Sequence, residues 1–82
     1  MEYKTLPNSE LELMMILWEE ERSMTRMEIE ERLPKKRKLS KTTVLSFLSR
    51  LEEKGFVQVR KEGRNNCYLP IVKKRDYLQQ EG

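Results

Sequence analysis

Hydroxyl and cationic side chains recur along residues 40–50, and a further arginine follows a glycine near residue 64. Such side chains donate hydrogen bonds and carry positive charge, whereas the phosphates and base edges of a nucleic acid present acceptors for them. This pattern therefore predicts that the two segments bind nucleic acid. The residues predicted to make the contacts are Lys41, Thr42, Thr43, Ser46, Arg50, Arg64 and Asn65.

The first of these segments is predicted to be a helix over 41–54. Its apolar stripe repeats at one helical turn and consists of Val44, Leu48 and Leu51, flanked by Leu45 and Phe47. Ser40 precedes the stripe as a capping residue, and Gly55 follows it at a position that favours the left-handed conformation. At about 100° per residue, the hydroxyl groups and Arg50 fall on the face opposite the stripe. That face is therefore available for contacts.

The roles of individual side chains on that face stay open. Hydroxyl groups distinguish bases only weakly, and many of them on helix surfaces are simply solvated. Arg50 can grip guanine with two hydrogen bonds, which is worth about 1–3 kcal/mol of discrimination. Because Arg50 lies nearly three turns into the helix, we favour a phosphate as its partner.

A β-hairpin with a basic tip is predicted over 56–72, where valines alternate with polar residues. The turn between its strands needs a glycine, which is Gly63, but does not need an arginine. We therefore expect Arg64 and its neighbour Asn65 to contact phosphate or the minor groove.

Two more helices are predicted upstream, over 9–21 and 26–33. Each opens with a capping box, a hydroxyl residue followed three positions later by a glutamate. The two boxes are formed by Ser9 with Glu12 and by Thr25 with Glu28. Met24 and Ile29 have the spacing of a hydrophobic staple, and Pro34 ends the second helix. The residues expected on the inward face of the second helix are Met27, Ile29 and Leu33.

Positive charge is concentrated in the later part of this 82-residue chain, whose net charge is +3. Residues 1–33 contain four basic and nine acidic residues, whereas residues 34–82 contain 13 basic and five acidic ones. The basic linker at 34–39 is expected to attract a polyanion diffusely. This division fits a protein that presents one face to a polyanion, although ordinary surface charge explains the composition equally well.

Composition speaks against several other classes of protein. The chain has no histidine, so it lacks the commonest general base and metal ligand. We therefore expect no enzymatic activity, no metal and no cofactor. The single cysteine, Cys67, provides neither a disulfide framework nor a zinc site and is expected to be a small packing residue. The sequence contains no membrane-spanning apolar run and no signal-peptide core. Because one cysteine provides no disulfide framework, we expect a cytoplasmic protein.

The predicted order of helix, helix, helix and hairpin can close around one core. The expected core residues are Leu17, Trp18, Ile29, Leu33, Val44, Leu48, Leu51, Phe56, Val57 and Tyr68, together with the methionines at helical spacing. The fold class is mostly α with a small antiparallel β-hairpin, a winged helix-turn-helix of three helices plus wing. In such a unit the third helix enters the major groove. We expect residues 1–72 to form the DNA-binding domain and residues 73–82 to begin a C-terminal helix or linker.

Four stretches resemble the penicillinase-repressor family of bacterial winged-helix regulators, and together they cover about residues 6–78. They are LPNSELELMMILWE, MTRMEIEERL, TTVLSFLSRLEEKGFV and KEGRNNCYLP. The resemblance implies a repressor that binds an inverted-repeat operator as a dimer and controls β-lactam resistance genes, copper-export genes or others. The DNA contacts that it implies fall at Ser40, Lys41, Thr42, Thr43, Ser46, Arg50 and Arg64.

The chain departs from the family pattern at three points. Leu39 stands where tryptophan is common, which is expected to alter the packing of the linker. Family members usually continue into a helical dimerisation region. This chain ends at Gly82, and we expect it to be either a truncated DNA-binding domain or a short variant. The tail after residue 72 offers too little apolar surface for a stable dimer, so we expect a monomer in free solution that pairs only on DNA or through a missing C-terminal region. The cysteine motif of the copper branch does not occur.

The alternative is a winged helix that binds an acidic protein through its basic face, since a fold alone does not decide function. A helix that binds a protein partner should expose apolar anchors. We expect the third helix to expose none, and we therefore favour DNA binding.

Overall fold

The computed structural model describes residues 5–34 and 39–81, apart from the side chains of residues 80 and 81. Within these ranges the helices are α1 (Asn8–Glu20), α2 (Arg26–Arg32), α3 (Lys41–Glu53) and α4 (Lys74–Glu81). The strands are β1 (Met24–Thr25), β2 (Val57–Glu62) and β3 (Asn65–Pro70). The predicted basic linker falls largely on residues 35–38, outside the described residues. None of the helices in the described ranges is long and apolar enough to cross a membrane.

The predicted order of three helices and a hairpin is confirmed, and these elements close around one apolar core. The core residues with no exposed surface are Leu13, Met14, Leu17, Ile29, Val44, Leu48, Leu51 and Phe56. Trp18 lies at the edge of the core and donates its indole N–H to the Val72 carbonyl at 2.7 Å. Leu33 and Leu39, at the two ends of the undescribed linker, are partly buried against the same core. The core therefore fixes both ends of the connection between α2 and α3.

The start of α1 differs from the prediction. Pro7, not Ser9, is the N-cap residue, with φ −59° and no side-chain capping hydrogen bond. The Pro7 carbonyl accepts the Leu11 N–H at 2.9 Å, so Ser9 lies inside the first turn. The predicted capping box of Ser9 and Glu12 is therefore wrong. Proline is tolerated here because a residue at the start of a helix has no helical hydrogen bond for a backbone N–H to make.

The capping box that starts α2 is confirmed in both directions. Thr25 Oγ1 accepts the Glu28 N–H at 3.2 Å, and Glu28 Oε1 accepts the Thr25 N–H at 2.9 Å. Arg22 Nη2 donates to the other Glu28 oxygen at 3.3 Å. These donors, the Thr25 backbone N–H first and Arg22 next, hold the pKa of the Glu28 carboxyl below its ordinary value. The start of α2 is therefore held by a local network that favours the ionised carboxylate.

The methionines divide between the core and the surface. Met14 and Met24 are buried as predicted, but Met15 is 41% exposed and Met27 is 53% exposed. The prediction that Met27 lies on the inward face of α2 is therefore wrong. Met27 precedes Ile29 by two residues, about 200° around a helix, so the fully buried Ile29 directs Met27 outward.

β2 and β3 form the predicted hairpin. Glu62 pairs with Asn65, which leaves Gly63 and Arg64 as a two-residue loop. Gly63 has φ +62°, the positive value that the first position of a type II′ turn requires. Arg64 therefore projects from a tight turn with a defined geometry.

A third strand extends the hairpin into a sheet, and the sequence did not predict it. β1 pairs antiparallel with β3, Met24 opposite Tyr68 and Thr25 opposite Cys67, in the sheet order β1-β3-β2. Cys67 is buried as expected, and burial together with the Glu62 carboxylate raises the pKa of its thiol. Because α2 begins directly after β1, this pairing attaches the hairpin to the start of α2.

α4 packs onto the same core through Tyr77, which is 1% exposed. The Tyr77 ring lies 5.9 Å from Trp18 and 5.6 Å from Phe56, the latter edge-on. Its hydroxyl oxygen accepts the Leu6 backbone N–H at 2.9 Å. α4 thus joins the segment before α1 to the end of the hairpin.

Candidate nucleic-acid interface

α3 is held at both ends as predicted. Ser40 Oγ accepts the Thr43 N–H at 3.2 Å and lies 2.8 Å from Thr43 Oγ1. Gly55 takes φ +81° just beyond the helix, and a Cβ built there would meet nothing within 4 Å. The positive φ therefore explains the glycine. The hydroxyls of Ser40 and Thr43, two of the predicted contact residues, already engage each other in the cap.

Three of the predicted contact residues line one groove. The groove, of about 290 Å³, lies between the start of α2, the first half of α3 and the hairpin turn. The contact residues in it are Lys41, Arg64 and Asn65. The pairing of Thr25 with Cys67 brings the hairpin to the start of α2, which explains why distant parts of the sequence meet here. We call this concavity the cationic groove; its other lining residues are Thr25, Arg26, Met27, Leu45, Asn66 and Tyr68.

The cationic groove carries unneutralised positive charge. Lys41 and Arg64 are both exposed, and neither pairs with a carboxylate within residues 5–34 and 39–81. Arg26 is paired with Glu30 one turn further along α2. No aspartate or glutamate is among the described residues that line the groove. The site therefore attracts an anionic ligand.

A polar face of α3 adjoins the groove. Thr42 and Ser46 are exposed and lie one helical turn apart. Thr43 is only partly buried, although its hydroxyl faces the Ser40 cap. Thr42 and Ser46 thus provide hydroxyl groups without a competing capping role.

Arg50 does not line the groove, and its surroundings were not predicted. Arg50 Nη1 lies 4.0 Å from Oε2 of Glu10, a carboxylate of α1 that is 1% exposed. Lys54 Nζ donates to the other Glu10 oxygen at 2.7 Å. A glutamate in a first helical turn normally interacts with the helix dipole at the surface. Its cationic partners, at the end of α3 and just after it, are remote in sequence, so no local pattern revealed this cluster.

The groove also contains exposed apolar side chains. Leu45 is 38% exposed and Met27 is 53% exposed, and both line it. The expectation that the third helix exposes no apolar anchor is therefore wrong. Leu45 follows Val44 by about 100° around the helix, which places it beyond the edge of the buried stripe.

Comparisons with known proteins agree with this architecture. The sequence model of the family described as penicillinase repressor matches residues 6–82. The penicillinase repressor of Bacillus licheniformis is 32% identical over 74 residues, which are 90% of this chain and 57% of the relative. The chain therefore spans little more than half the length of that relative.

Two solved structures share the fold at 32% identity. The DNA-binding domain of the repressor BlaI matches with a TM-score of 0.76, covering 92% of this chain and 93% of that one. Monomeric BlaI of Bacillus licheniformis, in complex with the blaP half-operator, matches with a TM-score of 0.73, covering 93% and 92%. The predicted winged helix-turn-helix is thereby confirmed. The extent of the family match shows that the chain belongs to the penicillinase repressor family.

Proposed function

We propose that this chain is the DNA-binding domain of a transcriptional repressor that binds an inverted-repeat operator as two copies. The observation that carries the proposal is the cationic groove, which Lys41 of α3 and Arg64 of the hairpin turn both line, neither with a carboxylate partner in the described part of the chain. Membership of the family and the likeness to a relative solved on half-operator DNA support it. The DNA-binding unit in this proposal comprises residues 1–72, and α4, which follows it, packs onto the same core through Tyr77.

In this proposal α3 lies in the major groove and the hairpin lies on the neighbouring backbone. The first turn of α3 carries free backbone N–H groups and the positive end of the helix dipole, both of which favour a phosphate. Lys41 adds a cation to the same turn, and Arg64 reaches the backbone from the wing. Thr42 and Ser46 face base edges, with hydroxyls that donate and accept hydrogen bonds. Occupying a promoter in this way represses transcription by steric exclusion.

Arg50 has a separate role at the other end of α3. The buried Glu10 carboxylate turns its guanidinium towards the start of α1, away from the residues that line the groove. A phosphate therefore suits Arg50 better than a guanine edge, in agreement with its depth along the helix. Arg50 then contributes affinity without sequence preference.

Two copies are needed because a single module is small. One winged domain of this size buries roughly 600–1,000 Å² of protein surface on DNA, which makes one half-site a weak target. The copies pair on the operator or through a C-terminal region of the kind that family members carry.

The test is selection from a pool of random duplexes at two salt concentrations, with sequencing of the bound fraction. We expect an enriched inverted repeat. Arg64→Ala should weaken binding to every sequence alike and lower the salt slope by about 1, whereas Thr42→Ala or Ser46→Ala should change the preferred sequence. Arg75→Ala is the matched control, because Arg75 is an exposed arginine outside the groove. Equal effects of Arg64→Ala and Arg75→Ala would contradict this interface.

A protein-binding winged helix remains the second candidate, and the exposed Leu45 and Met27 favour it. These side chains lie, however, in a groove that Lys41 and Arg64 also line, an arrangement that suits a polyanion better than an apolar peptide. The same selection separates the two functions. Absence of DNA binding at low salt would support the protein-binding module.

A further inference from the structure

Two large apolar side chains are exposed inside the cationic groove. Met27 comes from α2 and Leu45 from α3, and both line the same concavity. Among the residues that the structure describes, the other exposed large apolar ones are Met15, Ile71 and Leu78, and they do not line the groove. Convergence of two apolar groups from separate helices at a polar, cationic site indicates that its ligand presents an apolar group.

The position of Leu45 along α3 indicates which apolar group the ligand presents. Leu45 follows Lys41 by one helical turn and precedes Ser46, within the first half of the helix. In a helix-turn-helix, the N-terminal residues of the recognition helix meet base edges. Leu45 cannot hydrogen-bond to a base, so its contact there must be apolar. Thymine presents such a group in the major groove, its C5-methyl.

We infer that Leu45 reads the C5-methyl group of a thymine in each half-site and that Met27 covers this contact. The inference rests on the proposed function and deepens it, because the hydroxyls of Thr42 and Ser46 discriminate bases weakly. Lys41 and Arg64 hold the phosphates, and Leu45 supplies a preference that neither cation can provide. Leu45 is thus a specificity-determining residue.

The inference is tested by removing single methyl groups from the DNA. In the highest-affinity selected duplex, each thymine is replaced in turn by deoxyuridine, which lacks only the C5-methyl. For the unaltered protein we expect one position in each half-site where binding weakens about fourfold, the factor for losing one buried methyl or methylene. For Leu45→Ala the same replacement should have no effect, whereas Leu45→Met should retain it.

The control variant is Leu78→Ala. Leu78 is 47% exposed on α4 and does not line the groove, so this variant should show the full deoxyuridine effect. Thermal unfolding of every variant establishes that each is folded at the assay temperature. If Leu45→Ala is not folded, Leu45→Gln takes its place, because glutamine is a good helix former at this 38% exposed position but has a polar end. Leu45→Gln should then lose the deoxyuridine effect.

Two results would overturn the inference while DNA binding stands. One is a scan in which no deoxyuridine weakens binding, and the other is a methyl effect that persists in Leu45→Ala. If Met27→Ala retained the full deoxyuridine effect, Met27 would have no part in the contact, and the role of Leu45 would stand. Absence of DNA binding by the unaltered protein would overturn the proposed function and this inference together.

Discussion

Replacing Lys54 by methionine should destabilise the fold far more than replacing an exposed lysine. Lys54 Nζ donates to Glu10 Oε1 at 2.7 Å, and Glu10 is only 1% exposed. The second cation, Arg50, lies further away, at 4.0 Å from Oε2. Lys54→Met keeps most of the side-chain volume but leaves a buried carboxylate without its nearest partner.

The size of the effect follows from burial. Removing one partner of a fully buried ion pair costs about 3–5 kcal/mol. The Lys54 side chain is 21% exposed, and Arg50 remains near the carboxylate. Water and Arg50 should therefore partly stabilise the Glu10 carboxylate in the variant, so the expected destabilisation is about 2–3 kcal/mol. Glu10→Gln should cost about 1 kcal/mol, because the amide oxygen still accepts a hydrogen bond from Lys54.

Urea unfolding of both single variants and the double variant measures these terms. The double variant should be more stable than the two single losses predict, with a coupling energy of about 1 kcal/mol or more. Lys73→Met is the control, because Lys73 is exposed and a surface change should stay within about 0.5 kcal/mol. If Lys54→Met costs no more than Lys73→Met, the buried ion pair does not stabilise the fold.

Three further substitutions test individual contacts. Tyr77→Phe removes the acceptor of the buried Leu6 N–H and should cost about 1–3 kcal/mol in urea unfolding; an unchanged midpoint would contradict that contact. Gly55→Ala should cost about 1–2 kcal/mol in the same assay from the left-handed conformation alone, since no atom lies within 4 Å of the added Cβ; a much larger loss would show a clash. Glu28→Gln should lower the melting temperature at pH 7, because a depressed pKa adds stability above the ordinary value of 4.5. That difference should shrink as the pH falls through the folded-state pKa, and a difference that grows in acid would refute the network.

Local signals predicted the elements well where the stabilising contacts are local. The Thr25 and Glu28 box needs only residues three positions apart, and the structure reproduces it. Ser40 and Gly55 likewise mark the ends of α3 through local backbone geometry. The predicted capping box at Ser9 was wrong for a reason that is also local, because α1 begins earlier, with Pro7 as its N-cap residue.

Local sequence signals could not predict contacts between residues that are distant from each other in the chain. β1 has two residues, too few to show an alternating pattern, and exists only because β3 pairs with it. The burial of Glu10 depends on a cation, Lys54, that lies 44 residues further along the chain. The sequence pattern placed Leu45 beside the buried stripe of α3. Whether a side chain in that position is buried depends on how wide the core is, which the helical period does not reveal. The partial exposure of Leu45 therefore emerged only with the fold.

The most direct test of the cationic groove as a phosphate site is the affinity for the selected duplex across a series of salt concentrations. If each domain neutralises about five phosphates, log K should fall with log salt at a slope near −4.5 per domain. Replacing both Lys41 and Arg64 by alanine should reduce that slope by about 2 per domain, about 1 for each lost phosphate contact. A nearly flat salt response, or a slope that the double replacement leaves unchanged, would contradict phosphate binding in this groove.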